Sequence, residues 1–477
     1  MIRPEEEASK LTTASAPSQL QPSPLKSSTK KISARLTLWP LVAATFFMVS
    51  GGTYGIEDIV HGAGYWQALV FLAVTPLLWS LPTAFMIGEL SSALPYEGGF
   101  YAWVRYAMGN FWGFQEAWLS LVASIFDMAI YPTLFTVYLT RLFPWFGQGH
   151  RGLMVGLVVV IACALLNIAG VKVVSTTSLW LFILLSLPFV LIVVLAPLKY
   201  GALFHAVTTP NTSKVGVIGG LLIAMWNYMG WDNASTIAAE VERPQRTYPR
   251  AMLLAVLIVA LSYVVPVAAV WMTGLPISAW ETGSWADIAG LLGGRLLRIG
   301  LVLGGMMSAF GMFNALVMSY SRLPLAMAQD GMLPGFFAKL HPRTQAPWVA
   351  ILTCALGWTM CLTLGFERLV TIDIVVYGSS VMLEFVALAV LYFREPNLPR
   401  PFRVPGRAFG AVTIGIPPLL LLGVAISHSQ QEQIFGMSSF VLAMALIAAG
   451  VVAYFLNTAL RPQGWNTPMQ TKPQPAA

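Results

Sequence analysis

Apolar runs long enough to be helices recur along almost the whole chain, and no other feature constrains its fold as strongly. A helix that crosses a bilayer needs about 20 predominantly apolar residues. Such runs fall at roughly 37–61, 65–93, 111–140, 152–171, 174–197, 215–240, 250–273, 293–321, 347–365, 370–393, 409–427 and 434–458. Of the 477 residues, 57% are hydrophobic and only 10% charged, whereas a soluble domain carries about 25% charge. A soluble enzyme is thereby excluded, and an all-α membrane protein with 12 transmembrane helices is expected. Prolines inside the runs (Pro76, Pro82, Pro132, Pro188 and Pro266) are tolerated where neighbouring helices satisfy the freed backbone groups.

Residues 1–33 are rich in Ser, Thr, Pro and Lys and contain no apolar segment with a cleavage site. They read as a disordered cytoplasmic tail, as do residues 461–477. Charge then sets the orientation. With both termini inside the cell, 20 of the 27 Lys and Arg residues fall in cytoplasmic segments and 7 outside. This is the bias expected of a multi-pass protein of an inner or plasma membrane. The net charge of +7 therefore reports topology and not nucleic-acid binding. Cys163, Cys354 and Cys361 lie in apolar runs and form neither a disulfide framework nor a metal spacing. The five histidines fall in or near loops, and no catalytic, metal or cofactor signature is present. Asn211-Thr212-Ser213 fits the glycosylation triplet.

Two spans differ from the rest. The first contains Ser50-Gly51-Gly52-Thr53-Tyr54-Gly55-Ile56-Glu57-Asp58, and the sixth contains Met225-Trp226-Asn227-Tyr228-Met229-Gly230-Trp231-Asp232-Asn233. Matched, Gly-interrupted helices five spans apart point to an inverted-repeat transporter with a midplane site. The expected layout is a transporter domain over 34–460. Repeat one spans about 37–197, repeat two about 215–393, and helices 11 and 12 about 409–458. A helix break frees N–H groups at the start of its second half and carbonyls at the end of its first. Donors near Gly51, Gly52 and Thr53 would suit a carboxylate, and carbonyls near Met225–Tyr228 an ammonium group.

Several further stretches resemble the amino acid–polyamine–organocation superfamily. They are Gly88-Glu89-Leu90-Ser91 with Leu94-Pro95-Tyr96-Glu97-Gly98-Gly99-Phe100-Tyr101-Ala102-Trp103-Val104, Glu240-Val241-Glu242-Arg243-Pro244 through Tyr248-Pro249-Arg250, Ser321-Arg322-Leu323-Pro324 through Gln329-Asp330-Gly331-Met332-Leu333-Pro334, and Arg400-Pro401-Phe402-Arg403-Val404-Pro405. The first break, with Asp127 through Tyr131-Pro132 and Leu383-Glu384-Phe385, looks most like the plant polyamine-uptake branch and its relatives near the L-type amino acid transporters. The resemblance implies a five-plus-five inverted repeat with broken helices 1 and 6, alternating access, and proton-linked or sodium-independent uptake of polyamines or amino acids. It also matches Trp226 to the aromatic that closes over substrate. The eighth span, Gly311 to Ser321, carries no carboxylate, which counts against a di- or tricationic substrate. Span 5 has only Lys172, at its edge, so no lysine stands in for a bound cation.

Five acids lie deep in the spans: Glu57, Asp58, Asp127, Asp232 and Glu384. A central Asp costs about 2.5–3.5 kcal/mol on insertion scales, and no Lys or Arg lies equally deep. Substrate ammonium groups, protons or cations remain as counter-charges, so all five are candidates for proton coupling. Glu57 and Asp58 point about 100° apart on a helix, so one of them would face the outer vestibule. Asp127 would either line the site or bond backbone freed by Pro132. Asp232 would either cap the outgoing half-helix or line the site. Glu384 would serve the site or span packing. Glu89 and Glu240 read as gate or loop-anchoring residues. The expected substrate site comprises Ser50, Gly51, Gly52, Thr53, Tyr54, Asp58, Asp127, Trp226, Asn227, Tyr228, Trp231, Asp232, Asn314 and Glu384, with Ser319 and Ser321 as further polar lining. The function expected is secondary transport of an amino acid or polyamine with protons. An amino acid exchanger is the rival within the class; an intramembrane enzyme and a channel are more remote.

Overall fold

The computed structural model describes residues 36–95, 98–170, 177–202, 214–430, 432–434 and 436–460. The two expected tails, Lys172 and the Asn211 triplet lie outside the described residues. The helices are α1 (Leu38–Val49), α2 (Glu57–Thr75), α3 (Leu81–Ala93), α4 (Gly99–Met108), α5 (Asn110–Leu142), α6 (Arg151–Ile168), α7 (Thr177–Tyr200), α8 (Lys214–Asn227), α9 (Pro244–Trp271), α10 (Trp285–Gln329), α11 (Trp348–Thr359), α12 (Phe366–Arg394), α13 (Arg407–Thr413), α14 (Ile416–Ser429) and α15 (Ser439–Ala459). Among the described residues, nine helical stretches are long and apolar enough to cross a membrane, and α1 and α11 are shorter apolar helices. Together they make an all-α, multi-pass membrane protein. A two-residue hairpin precedes α15, and Leu36 bridges Val241.

Burial separates the middle of the bundle from its rim. The most apolar stretches of α5 and α12 are each 67% buried, against 17% for α15, so α5 and α12 sit centrally and α15 outside. On α7 the exposed side chains include Ile183, Leu184, Leu187, Val190, Leu191, Val194 and Leu198. Such a surface is stable only against lipid tails. The carboxylates Glu57, Glu116, Asp127, Asp232, Asp373 and Glu384 are instead buried. The polar groups are inside and the apolar surface is outside, as a lipid solvent requires.

Both expected breaks are present as breaks in the chain. Between α1 and α2 the backbone is non-helical over residues 50–56, with positive φ at Gly51, Gly52 and Gly55. A Cβ on Gly51 (φ +59) would collide with Met312 Sδ and Ser308 Oγ, so both conformation and space demand glycine there. After α8, Gly230 turns the chain with φ +88. The chain then continues as a 3₁₀ helix over Trp231–Glu240, not as the α-helical half expected. A Cβ on Gly230 would sit 3.0 Å from the Met48 carbonyl oxygen, which shows how closely the two breaks approach. Asn227 joins them directly, its side-chain amide donating to the Gly55 carbonyl at 3.2 Å.

Two features were not expected from the apolar runs. Helix α4 connects the second and third runs, and α10 extends back to Trp285 through a kink at Gly294.

Candidate functional site

Where the breaks meet α5 and α12, a narrow, partly enclosed cavity of about 20 Å³ is lined by Met48, Val49, Asp127, Tyr131, Trp226, Met229, Gly230, Asn233, Tyr320, Asp373 and Tyr377. That is room for about one water, so the walls must part before a small molecule can enter. Two of the lining groups are carboxylates, four are aromatic, and none is Lys, Arg or His.

Asp127 is held by three donors, all of them side chains. Tyr131 Oη lies at 3.1 Å, Trp226 Nε1 at 3.3 Å and Tyr320 Oη at 3.3 Å. Backbone freed by Pro132 is not among its partners. Asp373 faces it from α12, is 2% exposed, and its Oδ1 has no hydrogen-bond partner. The fields of Asp127 and Asp232 both reach it. Asp232 stands behind Tyr377, whose hydroxyl donates to Asp232 Oδ1 and accepts the Gly230 N–H at 2.9 Å. Asp232 is not among the cavity's lining residues; Tyr377 connects it to them. Trp226 covers the cavity toward the Phe366 end of α12. Its ring is perpendicular to Phe366, with centroids 5.5 Å apart.

Other expected site residues lie elsewhere. Ser50 to Tyr54 pack behind the wall formed by Met48 and Val49. There Gly51 O accepts from Ser308, Thr53 donates to Ser262 O, and Tyr54 donates to Leu301 O. The expected donors Gly51 N and Gly52 N are already bonded to Phe46 O and Ser50 Oγ. The expected acceptors at the second break are also occupied. The carbonyls of Met225, Trp226, Asn227 and Tyr228 accept from Tyr228 N, Met229 N, Tyr263 Oη and Trp231 Nε1. Tyr228 points to Leu72 O at 2.6 Å, and Trp231 is fully buried beside it. Asn314 accepts from Asn167 on α6 at 2.9 Å, away from the cavity. Ser319 reaches it only through Asn233, at 2.8 Å.

Glu57 and Asp58 face the loop before α10. Glu57 accepts from Gly55 N at 2.7 Å, Gly283 N at 3.0 Å and Tyr138 Oη, while Asp58 accepts from Thr282 at 2.5 Å. Beside them Arg141 pairs with Glu281 and Asp287. At the opposite end Glu89 pairs with Arg400 at 3.0 Å and accepts from Tyr392 and Val404 N. Arg105 pairs with Asp330 there as well. Side-chain networks therefore close the bundle at both ends.

The sequence reading did not assign Asp373, Tyr131, Tyr320, Tyr377 or Glu116 to the site. Asp373 and Glu116 were visible as acids within apolar runs. The tyrosines carried no signal beyond the 12% aromatic content.

Comparison with known proteins agrees with this architecture. The family described as amino acid permease matches residues 42–447. The chain belongs to the amino acid permease family. It is a transport protein of that family, not an enzyme. It is 34% identical over 439 residues to the polyamine transporter RMV1 of Arabidopsis thaliana, covering 90% of this chain and 87% of that one. It is 35% identical over 442 residues to the polyamine transporter PUT1 of Oryza sativa subsp. japonica, covering 92% and 80%. It is also 28% identical over 333 residues to the serine/threonine exchanger SteT of Bacillus subtilis, covering 67% and 74%.

Proposed function

We propose that this permease takes up polyamines with protons across an inner or plasma membrane, both termini lying in the cytoplasm. The observation that carries the reading is the cavity wall. Asp127 and Asp373 meet there with Tyr131, Trp226, Tyr320 and Tyr377, and no basic side chain joins them. Ammonium groups satisfy buried carboxylates and gain roughly 0.5–2 kcal/mol over each aromatic face. A zwitterion would also need an anion site, and the first-break donors Gly51 N and Gly52 N are engaged elsewhere. The missing carboxylate of the eighth span is made good by Asp373 of α12. The relatives named as polyamine transporters favour the same substrate.

The architecture we infer has twelve spans, with the first and sixth broken and five-plus-five repeats over about 37–197 and 215–393. Helices 11 and 12 follow over about 409–458, inside a transporter domain of 34–460. The nine long helices, α1, α11 and the interrupted α8 segment support this count. Rocking of spans 1, 2, 6 and 7 against α5 and α12 would open the cavity alternately at the Trp226–Phe366 side and at the Glu89–Arg400 side. Proton coupling is supported by buried acids that no salt bridge among the described residues reaches: Asp127, Asp232, Asp373, Glu116 and Glu384.

In proteoliposomes, labelled putrescine should accumulate saturably under an inward proton gradient. A protonophore should reduce accumulation to the equilibrium level. Undiminished uphill uptake after the protonophore would refute the coupling.

A further inference from the structure

Asp127 and Asp373 are the first rung of a ladder that the substrate cavity does not use up. Helices α5 and α12 run antiparallel, and Ser120 of α5 meets Ser380 of α12 at 2.8 Å. Seven residues separate Asp127 from Ser120 and Asp373 from Ser380, and four more lead to Glu116 and Glu384. The second acid pair therefore lies about 16 Å along the bundle from the first, at 1.5 Å per residue. It sits toward the Arg394 end of α12, which is cytoplasmic in the reading above.

The two glutamates have different surroundings. Glu116 Oε1 accepts from Ser380 at 2.5 Å and from Ser120 at 3.3 Å, while its Oε2 has no partner. Glu384, expected from the sequence in the substrate site, is not among the residues lining the cavity; it is fully buried, and neither of its oxygens has a partner. A charged carboxylate left bare in a dry interior is among the costliest arrangements a protein can hold. Two neighbouring buried carboxylates do not both ionise; the less solvated member holds its own proton and stays neutral.

The charged or titratable groups that act on Glu384 are Asp232 after the second break, Glu116 on α5 and Tyr377 on its own helix. Helices α3, α4, α8, α13, α14 and α15 also pack on α12. Their Glu89, Arg105, Arg407 and His428 are not among the groups acting on Glu384. Tyr377 ties this region to the moving segment, since its hydroxyl holds both Gly230 N and Asp232.

We propose that Glu384 is the residue that carries the coupling proton, with Glu116 as its charged partner and Asp232 as the element that reports movement of the second break. This rests on the proton-coupled reading and specifies where the proton sits. In the closed state the fields of Glu116 and Asp232 keep the Glu384 O–H intact. When the second break swings away, Tyr377 releases Asp232 and that field weakens. Water entering from the Arg394 end then accepts the proton as hydronium, leaving Glu384 as the carboxylate. No other covalent bond changes.

The test combines two readouts on the full chain. Infrared pH-difference spectra of purified protein should show the C=O stretch of a buried protonated acid, lost in Glu384→Gln. In proteoliposomes, Glu384→Gln should retain putrescine counterflow within about twofold while losing the roughly tenfold accumulation that one pH unit drives per proton. Glu384→Asp should restore part of the gradient response. Counterflow is independent of net proton movement, so its loss in the parent would implicate the substrate reading, and the infrared band would still decide the inference. A band unchanged in Glu384→Gln, or gradient-driven accumulation equal to the parent, would overturn it. Loss of counterflow in both Glu384→Gln and Glu384→Asp would also overturn it, by making Glu384 part of substrate binding.

Discussion

Replacing Asp373 with Asn is expected to weaken putrescine binding by roughly thirtyfold to a few thousandfold. Truncating one member of a desolvated charge pair costs about 2–5 kcal/mol, and each 1.4 kcal/mol is about tenfold. The variant is informative because Asp373 contributes little to holding the fold together. Its Oδ1 has no hydrogen-bond partner, although the residue is only 2% exposed. Removing an unpaired buried carboxylate relieves a desolvation cost, so the thermal midpoint of the ligand-free protein should stay level or rise. Asp127→Asn is a less clean probe, because it also disturbs the donors Tyr131, Trp226 and Tyr320. Calorimetric titration of Asp373→Asn with putrescine, paired with a melting curve, separates the two effects. Affinity equal to the parent's would remove Asp373 from the site.

The second large effect concerns folding and not the substrate. Arg400→Ala should destabilise the protein by about 3–5 kcal/mol, the cost of leaving half of a buried ion pair without its partner. The pair is exceptionally dry, with side chains 4% and 1% exposed. Arg400 also stacks on Tyr392, 4.3 Å from the ring centroid. Glu89 would keep Tyr392 and Val404 N as hydrogen-bond donors and the more distant field of Arg403, and the loop between α12 and α13 would lose its anchor. The thermal midpoint in detergent should fall sharply. The double variant Glu89→Gln/Arg400→Met should recover much of the loss, because no buried charge remains. A midpoint unchanged in Arg400→Ala would show that the pair contributes nothing.

The apolar runs and the two glycine interruptions were legible because each answers to a local rule. A span must be long and apolar, and a positive φ at Gly51 or Gly230 needs glycine. The orientation of the acids obeys no such local rule. Glu57 and Asp58 read as site candidates, but the loop carrying Thr282 and Gly283 folds back from more than 220 positions away to bond them. Asp373 stands within an apolar run, yet its place depends on the register of α12 against α5. The breaks themselves were found, while their backbone groups turned out to be occupied. Side chains of Ser50, Tyr263 and Trp231 bond them, which only the packed structure reveals. In the proposed reading, recognition thus shifts from backbone dipoles to carboxylates and tyrosines.

That shift is the account's central claim, and a pair of near-identical ligands tests it. Ornithine is putrescine with a carboxylate on one amine-bearing carbon, so both present two ammonium groups at similar spacing. Direct binding of each to the purified protein should show putrescine bound at least about tenfold more tightly, a difference of about 1.4 kcal/mol, because Asp127 and Asp373 repel the added anion. Ornithine binding as tightly as putrescine, or more tightly, would contradict a site built for cations alone.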